Sequence, residues 1–120
     1  MAYASVWFKV GAFSGAAAVA LGAFGYHGLQ GAGTDPKLLQ TWDTAARYHL
    51  MHSLALLVVP FAGMIKQQPL WAGRLFLTGI VLFSGSLYAL VLSKNRSLGA
   101  ITPIGGLCLI AGWIALGLGI

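Results

Sequence analysis

A chain of 120 residues that is 58% hydrophobic and 8% charged, with a mean hydropathy of +0.83, is excluded from the ordinary soluble class, where about 25% of residues are charged. So short a chain exposes much of its surface, and seven basic and two acidic side chains cannot solvate it, so the apolar surplus must face lipid. The formal charge is +5, but Lys9, Lys37, Arg47, Lys66, Arg74, Lys94 and Arg96 are scattered at the ends of apolar runs. Interfacial anchors have that distribution; a nucleic-acid binder gathers its charge into a patch.

About 20 apolar residues cross a bilayer core. The first run, 5–26, is interrupted only by Lys9. A cleaved signal peptide is the alternative there, but its apolar core is about 7–15 residues long; this run is longer and rich in Gly and Ala, which favours a packed first helix. The connection from His27 to Pro36 is Gly-rich and reads as flexible until Thr34-Asp35-Pro36, where Asp35 suits an N-cap and Pro36 the first helical position. From there an amphipathic, interface-level lead-in over 36–47 carries the i,i+4 pair Asp43 and Arg47 into a second span at 48–65.

At 100° per residue, Leu38, Trp42, Ala45, His49, His52 and Leu56 share one face of that helix. Leu50, Leu54, Leu57, Val58 and Phe61 lie opposite and suit lipid. A polar link, Lys66 to Pro69, leads to a third span at 70–92. The basic link Ser93 to Ser97 leads to a fourth at 98–120, where Pro103 is expected to kink the helix near its start. Short links make consecutive spans antiparallel neighbours. The expected fold is therefore an all-α membrane protein, one domain over 1–120, forming a four-helix antiparallel transmembrane bundle with both termini on one side. Lys37, Arg47, Lys94 and Arg96 then share one end against Lys9, Lys66 and Arg74 at the other, which by the positive-inside rule turns the termini outward. Cys108 is alone, so no intrachain disulfide forms.

Glycine supplies 17 residues, about twice the usual ~7%. In lipid, helices associate where small residues let backbones approach. Gly11, Gly15 and Gly22 in the first span, Gly79 and Gly85 in the third, and Gly105, Gly106 and Gly112 in the fourth are the candidate packing positions. Packing within one bundle and self-association through a dimer face are both open on spacing alone.

Intramembrane polar residues are the first place to look for function. His49 and His52, i,i+3 on one face, have Tyr48 and Ser53 as candidate hydrogen-bonding neighbours, and His27 follows the first span. If His27 folds back, three imidazoles gather on one side, the weak candidates for a metal or haem site. The chain has no Glu, and both Asp lie outside the spans, so a hydrolytic zinc site lacks its acidic base. No cofactor is expected. Ser84, Ser86 and Thr102 are the other intramembrane polar candidates.

Five motifs occur in order: Gly-Ala-Phe-Ser-Gly-Ala at 11–16, Leu-Gly-Ala-Phe-Gly-Tyr-His-Gly at 21–28, Tyr-His-Leu-Met-His-Ser-Leu-Ala-Leu-Leu at 48–57, Leu-Phe-Ser-Gly-Ser-Leu-Tyr at 82–88 and Ile-Thr-Pro-Ile-Gly-Gly at 101–106. Through them the whole chain resembles the transmembrane protein 256 family and its bacterial relatives, membrane proteins of unknown function. The resemblance puts His27 and His52 on motif positions. It also implies Gln at position 49 in many bacterial relatives, a poor stand-in for a metal-binding imidazole, while Tyr26 replaces the usual small residue.

Three functions follow, in order of preference. The first is a structural or assembly role among lipids and other membrane proteins. The second is a small transporter, channel or lipid-binding protein using Ser84, Ser86, Thr102 and His52. The third is a metal or redox protein built on His27, His49 and His52.

Overall fold

The computed structural model describes residues 2–65 and 70–120, and every regular element in it is helical. The link expected around Lys66 to Pro69 lies outside the described residues. Helix α1 (Ala2–Ala20) runs through a π-helical segment (Leu21–Gly25) into α2 (Tyr26–Gly31). The residues at both junctions keep right-handed helical dihedrals, so the three segments make one rod.

That rod outlasts the expected span and absorbs most of the connection read as flexible. A glycine weakens a helix by only about 1 kcal/mol, and Gly28 and Gly31 do not stop one already propagating. The stop comes at Gly33, in the left-handed region with φ +78°. There the N–H of Gly33 donates to Gln30 O and that of Thr34 to Leu29 O, both at 3.1 Å, which is a Schellman termination.

The next helix, α3 (Pro36–Ile65), takes the lead-in and the second expected span in one run. Asp35 caps it: its Oδ1 accepts the Lys37 N–H at 2.8 Å. Helices α4 (Leu70–Gly79) and α5 (Ser86–Ser93) form a further rod through a second π-helical segment (Ile80–Gly85). Lys94, at φ 59°, ends it, and the Asn95 side chain caps a short 3-10 turn, Arg96–Ala100, by accepting the Ser97 N–H at 3.1 Å. Helix α6 (Thr102–Leu118) follows with Pro103 in its first turn. There the N–H that proline lacks would have had no acceptor within α6, and the helical path changes from the 3-10 turn to α-helix just before it.

Three helical stretches, Val6–Gly31, Trp71–Ser93 and Arg96–Leu118, are long and apolar enough to cross a membrane. The intervening α3 carries Lys37, Asp43, Arg47 and two imidazoles. The buried core joins Ala55, Leu56 and Val59 of α3 to Ala72 and Phe76 of α4, Ile80, and Leu109 and Ala115 of α6. Outside it the surface is apolar: Phe13, Phe24, Leu92 and Leu107 are all exposed. Such a surface belongs in hydrocarbon.

Two helix pairs hold the molecule together. Gly11 of α1 abuts Ser53 and Leu56 of α3, Gly22 abuts Ala46, and Gly25 abuts the Trp42 ring. In the second pair Phe76 meets Gly112, Gly79 meets Leu109, and Leu82 and Phe83 meet Gly105. Along each pair, residue numbers rise in one helix as they fall in the other.

Candidate functional site

The buried polar groups of α3 meet the other helices in one layer. His49, His52 and Ser53 are all buried on its inward face. The Ser53 hydroxyl donates to the His49 carbonyl at 2.7 Å, which commits its single proton. Ser14 Oγ of α1 lies 2.7 Å from Ser53 Oγ and must be the donor of that pair. With its own proton so placed, Ser14 can only accept from His49 Nε2, 3.0 Å away. Nε2 therefore carries the hydrogen. In the neutral ring Nδ1 is then an acceptor, and the Tyr88 hydroxyl of α5 donates to it at 3.0 Å. Valence alone sets the order: Tyr88 to His49 to Ser14 to Ser53 to the His49 carbonyl.

His52 adopts the opposite tautomer. The Tyr48 carbonyl can only accept, so His52 Nδ1–H donates to it at 2.7 Å. The Trp113 indole N–H can only donate, so His52 Nε2 accepts it at 3.1 Å. The two rings thus share one face of α3 but serve different helices and have no partner in common. Each ring turns toward the nearest partner, α1 and α5 for His49, α6 for His52.

His27 stays apart. It is exposed on α2, its ring meets that of Tyr26 edge-on, and among the described residues no three His, Cys, Asp or Glu side chains group as metal ligands. The condition for gathering three imidazoles is not met: the helix continues to Gly31 and carries His27 outward instead of folding it back.

The other hydroxyls pin helix to helix. Ser84, in the second π-helical segment, donates to the Ala45 carbonyl at 2.8 Å. Ser86 donates to the Phe83 carbonyl at 2.9 Å and lies 2.6 Å from Thr102 Oγ1, so Thr102 donates to it. The Trp42 indole N–H donates to the Leu21 carbonyl at 2.6 Å, at the start of the first π-helical segment, where helix bonding shifts from i+4 toward i+5. Among the described residues, no buried side-chain nitrogen or oxygen lacks a partner.

The candidate glycines divide sharply. A Cβ on Gly11 would stand 2.9 Å from Leu56 Cβ, one on Gly79 2.5 Å from Leu109 Cδ2, and one on Gly112 2.7 Å from Phe76 Cδ1. On Gly105 it would collide with the backbone at Leu82 and Phe83. Gly22 is tight at 3.3 Å from Ala46, while Gly15 and Gly106 make ordinary contacts at 3.8 Å and 3.7 Å. Gly85 is corrected: among the described residues, nothing would lie within 4 Å of a Cβ there. Sequence reasoning passed over Gly25 and Gly73, which seat the Trp42 and Trp7 rings. It also missed Ser14, Tyr88 and Trp113 as partners of the imidazoles. Ser14 had a signal, since it shares the stripe of Gly11 and Ala18; Tyr88 and Trp113 had none within their own helices.

The Ser14–His49 contact has the composition of a nucleophile–base pair but not its direction. A general base accepts the hydroxyl proton and is oriented by a third group; here His49 donates to Ser14, and its other nitrogen faces a phenol. Beside His52, Tyr48, Met51, Phe83, Leu109 and Trp113 line an open groove of about 380 Å³.

Residues 21–106 match the family described as "Protein of unknown function (DUF423)". The chain is 48% identical over 108 residues to a UPF0382 membrane protein of Staphylococcus aureus, covering 89% of this chain and 88% of the relative. The corresponding identity is 47% for the UPF0382 membrane protein YwdK of Bacillus subtilis, over 92% of both chains. It is 43% for a UPF0382 membrane protein of Schizosaccharomyces pombe, over 93% of this chain and 98% of the relative. No solved structure matches.

Proposed function

The chain belongs to the DUF423 family, the UPF0382 membrane proteins, and from that premise we propose that it is a four-span antiparallel bundle with a structural or assembly role in the bilayer. Three rods have the length and apolarity to cross. The fourth span is α3, whose 30 residues reach about 45 Å at 1.5 Å per residue, enough for a crossing and its interfacial lead-in. The opposed numbering of the contacting pairs supports the antiparallel order. The five ordered motifs support kinship with the transmembrane protein 256 family. The lead-in end bears Lys37, Arg47, Lys94 and Arg96 and faces the cytoplasm on this reading.

One observation carries the structural role: the buried polar groups are closed upon one another. A channel lining or a catalytic base needs a polar atom free to meet its ligand. In this layer both nitrogens of His49 and of His52 already have protein partners. His49, His52, Ser84, Ser86 and Thr102 act as fasteners between helices, and the outer apolar faces meet lipid, other membrane proteins or a second copy.

The purified chain in sealed vesicles is therefore expected to pass ions and small solutes no faster than protein-free vesicles do. A flux above that baseline that is lost in His49→Gln would overturn the reading. A second reading, lipid binding, is favoured by the groove beside His52. A lipid carrying a quencher on its acyl chain should then dim Trp113 fluorescence more than Trp71 fluorescence, read in single-tryptophan variants; equal dimming would remove that reading.

A further inference from the structure

At the lead-in end of the molecule a cavity of about 470 Å³ opens between the turn at Ala32–Asp35, the start of α3 and the end of α5. Lys37 comes to it from α3, while Lys94 and Arg96 come from the connection before α6, so two distant stretches of sequence bring three cations to one opening. Asp35 is the carboxylate present, and its Oδ1 is engaged by the Lys37 backbone N–H as the helix cap. Among the described residues the ion pair found is Arg47 with Asp43, so none of the three cations is paired. Three positive charges against one carboxylate leave the opening strongly anion-attracting. Its wall also holds Leu38 and Leu90, both half-buried.

We propose that this cavity binds the phosphate group of an anionic ligand, with Lys37, Lys94 and Arg96 on the phosphate oxygens and Leu38 and Leu90 beside the apolar part. A basic pocket between helices at a membrane surface is suited to a phospholipid headgroup, and the leucine wall suits the start of an acyl chain. A free phosphate offers the same oxygens without that second contact. The inference rests on the bundle reading only for placing the cavity at the membrane surface; the phosphate chemistry is independent of any assembly role.

The full chain in detergent micelles is titrated with phosphatidylglycerol, with phosphatidylcholine of the same chain length, and with sodium phosphate, and bound adducts are counted by native mass spectrometry. Phosphatidylglycerol is expected to be retained in preference to phosphatidylcholine. Each of Lys37→Gln, Lys94→Asn and Arg96→Gln should weaken it about fivefold, as expected for one basic residue near a charged surface. Asn is chosen at 94 because it tolerates the left-handed backbone there. Lys9→Gln, near the other end of α1, should leave retention unchanged. Displacement by sodium phosphate identifies a soluble phosphate as the ligand, and resistance to it identifies the lipid headgroup. Each variant's unfolding temperature without lipid checks that the three exposed substitutions leave the fold intact. Undiminished preference in the triple variant, or an equal loss in Lys9→Gln, would overturn the proposal, and neither result bears on solute flux.

Discussion

The α1–α3 interface and the interface between α4–α5 and α6 share close glycine contacts and differ in their polar lacing. The first sets Gly11, Gly22 and Gly25 against α3 and is laced in addition by polar groups: Ser14 with Ser53 and His49, and Trp42 with the Leu21 carbonyl. The second is mostly close approach, with Gly79, Gly105 and Gly112 against Leu109, the Leu82–Phe83 backbone and Phe76, and, among the described residues, one hydroxyl pair, Ser86 with Thr102. In lipid, burying an apolar side chain against a neighbour gains little, so packing and hydrogen bonds carry the association. A glycine seam fails when volume is added and no polar group can mend it. A hydrogen-bonded seam fails when a partner is removed, and a polar group of similar reach can restore it.

The largest effect is expected at Gly105. A leucine there must displace backbone, not a flexible side-chain tip, so Gly105→Leu should destabilise by about 3 kcal/mol or more in detergent unfolding. Gly85→Ala, in open space, should be neutral or stabilise by up to about 1 kcal/mol, as alanine does for glycine in a helix. Equal losses at the two sites would abolish the distinction between seam and open face.

Next comes His49. His49→Ala leaves the half-buried Tyr88 hydroxyl without its acceptor, at about 1–3 kcal/mol, while Ser14 loses one donor and keeps its bond to Ser53. His49→Gln should recover much of that, since an amide supplies one donor and one acceptor. Recovery by Leu as full as by Gln would show that the ring matters for shape alone. His52→Ala should cost less than His49→Ala, because it deprives the half-exposed Trp113 indole of its acceptor and frees a Tyr48 carbonyl that already sits within a helix. The reverse order in thermal unfolding would contradict the assignment of His49 as the central fastener.

The inward face of α3 was legible as periodicity: Trp42, Ala45, His49, His52 and Leu56 are buried together, and Leu50, Leu54, Val58 and Phe61 are exposed. The cap at Asp35 was legible too, because capping needs only a carboxylate at the right offset. What escaped depends on a second helix. A glycine is a packing site only if something crosses it, so Gly85 and Gly73 look alike in sequence and differ in the fold. The partners of His49 stand 35 and 39 residues away, beyond any local pattern. The π-helical segments, the second of which carries the Ser84 that donates to Ala45, have no residue signature comparable to a cap or a turn.

The smallest effects belong to the outer surface. Leu54→Ala on the exposed face of α3 should change stability by no more than about 0.5 kcal/mol. Arg47→Ala, which removes an exposed i,i+4 pair, should act within the same few tenths. A loss above about 1 kcal/mol at Leu54 in detergent would mean that the face packs on a second protein chain.

The claim beneath all of these is that the buried polar layer has one proton order. Site-resolved ¹⁵N spectra of the imidazoles in lipid bilayers read that order directly. Two neutral rings of opposite tautomer are expected, His49 protonated on Nε2 and His52 on Nδ1. An imidazolium at either position, the same tautomer at both, or exchange between tautomers at His49 would contradict that order.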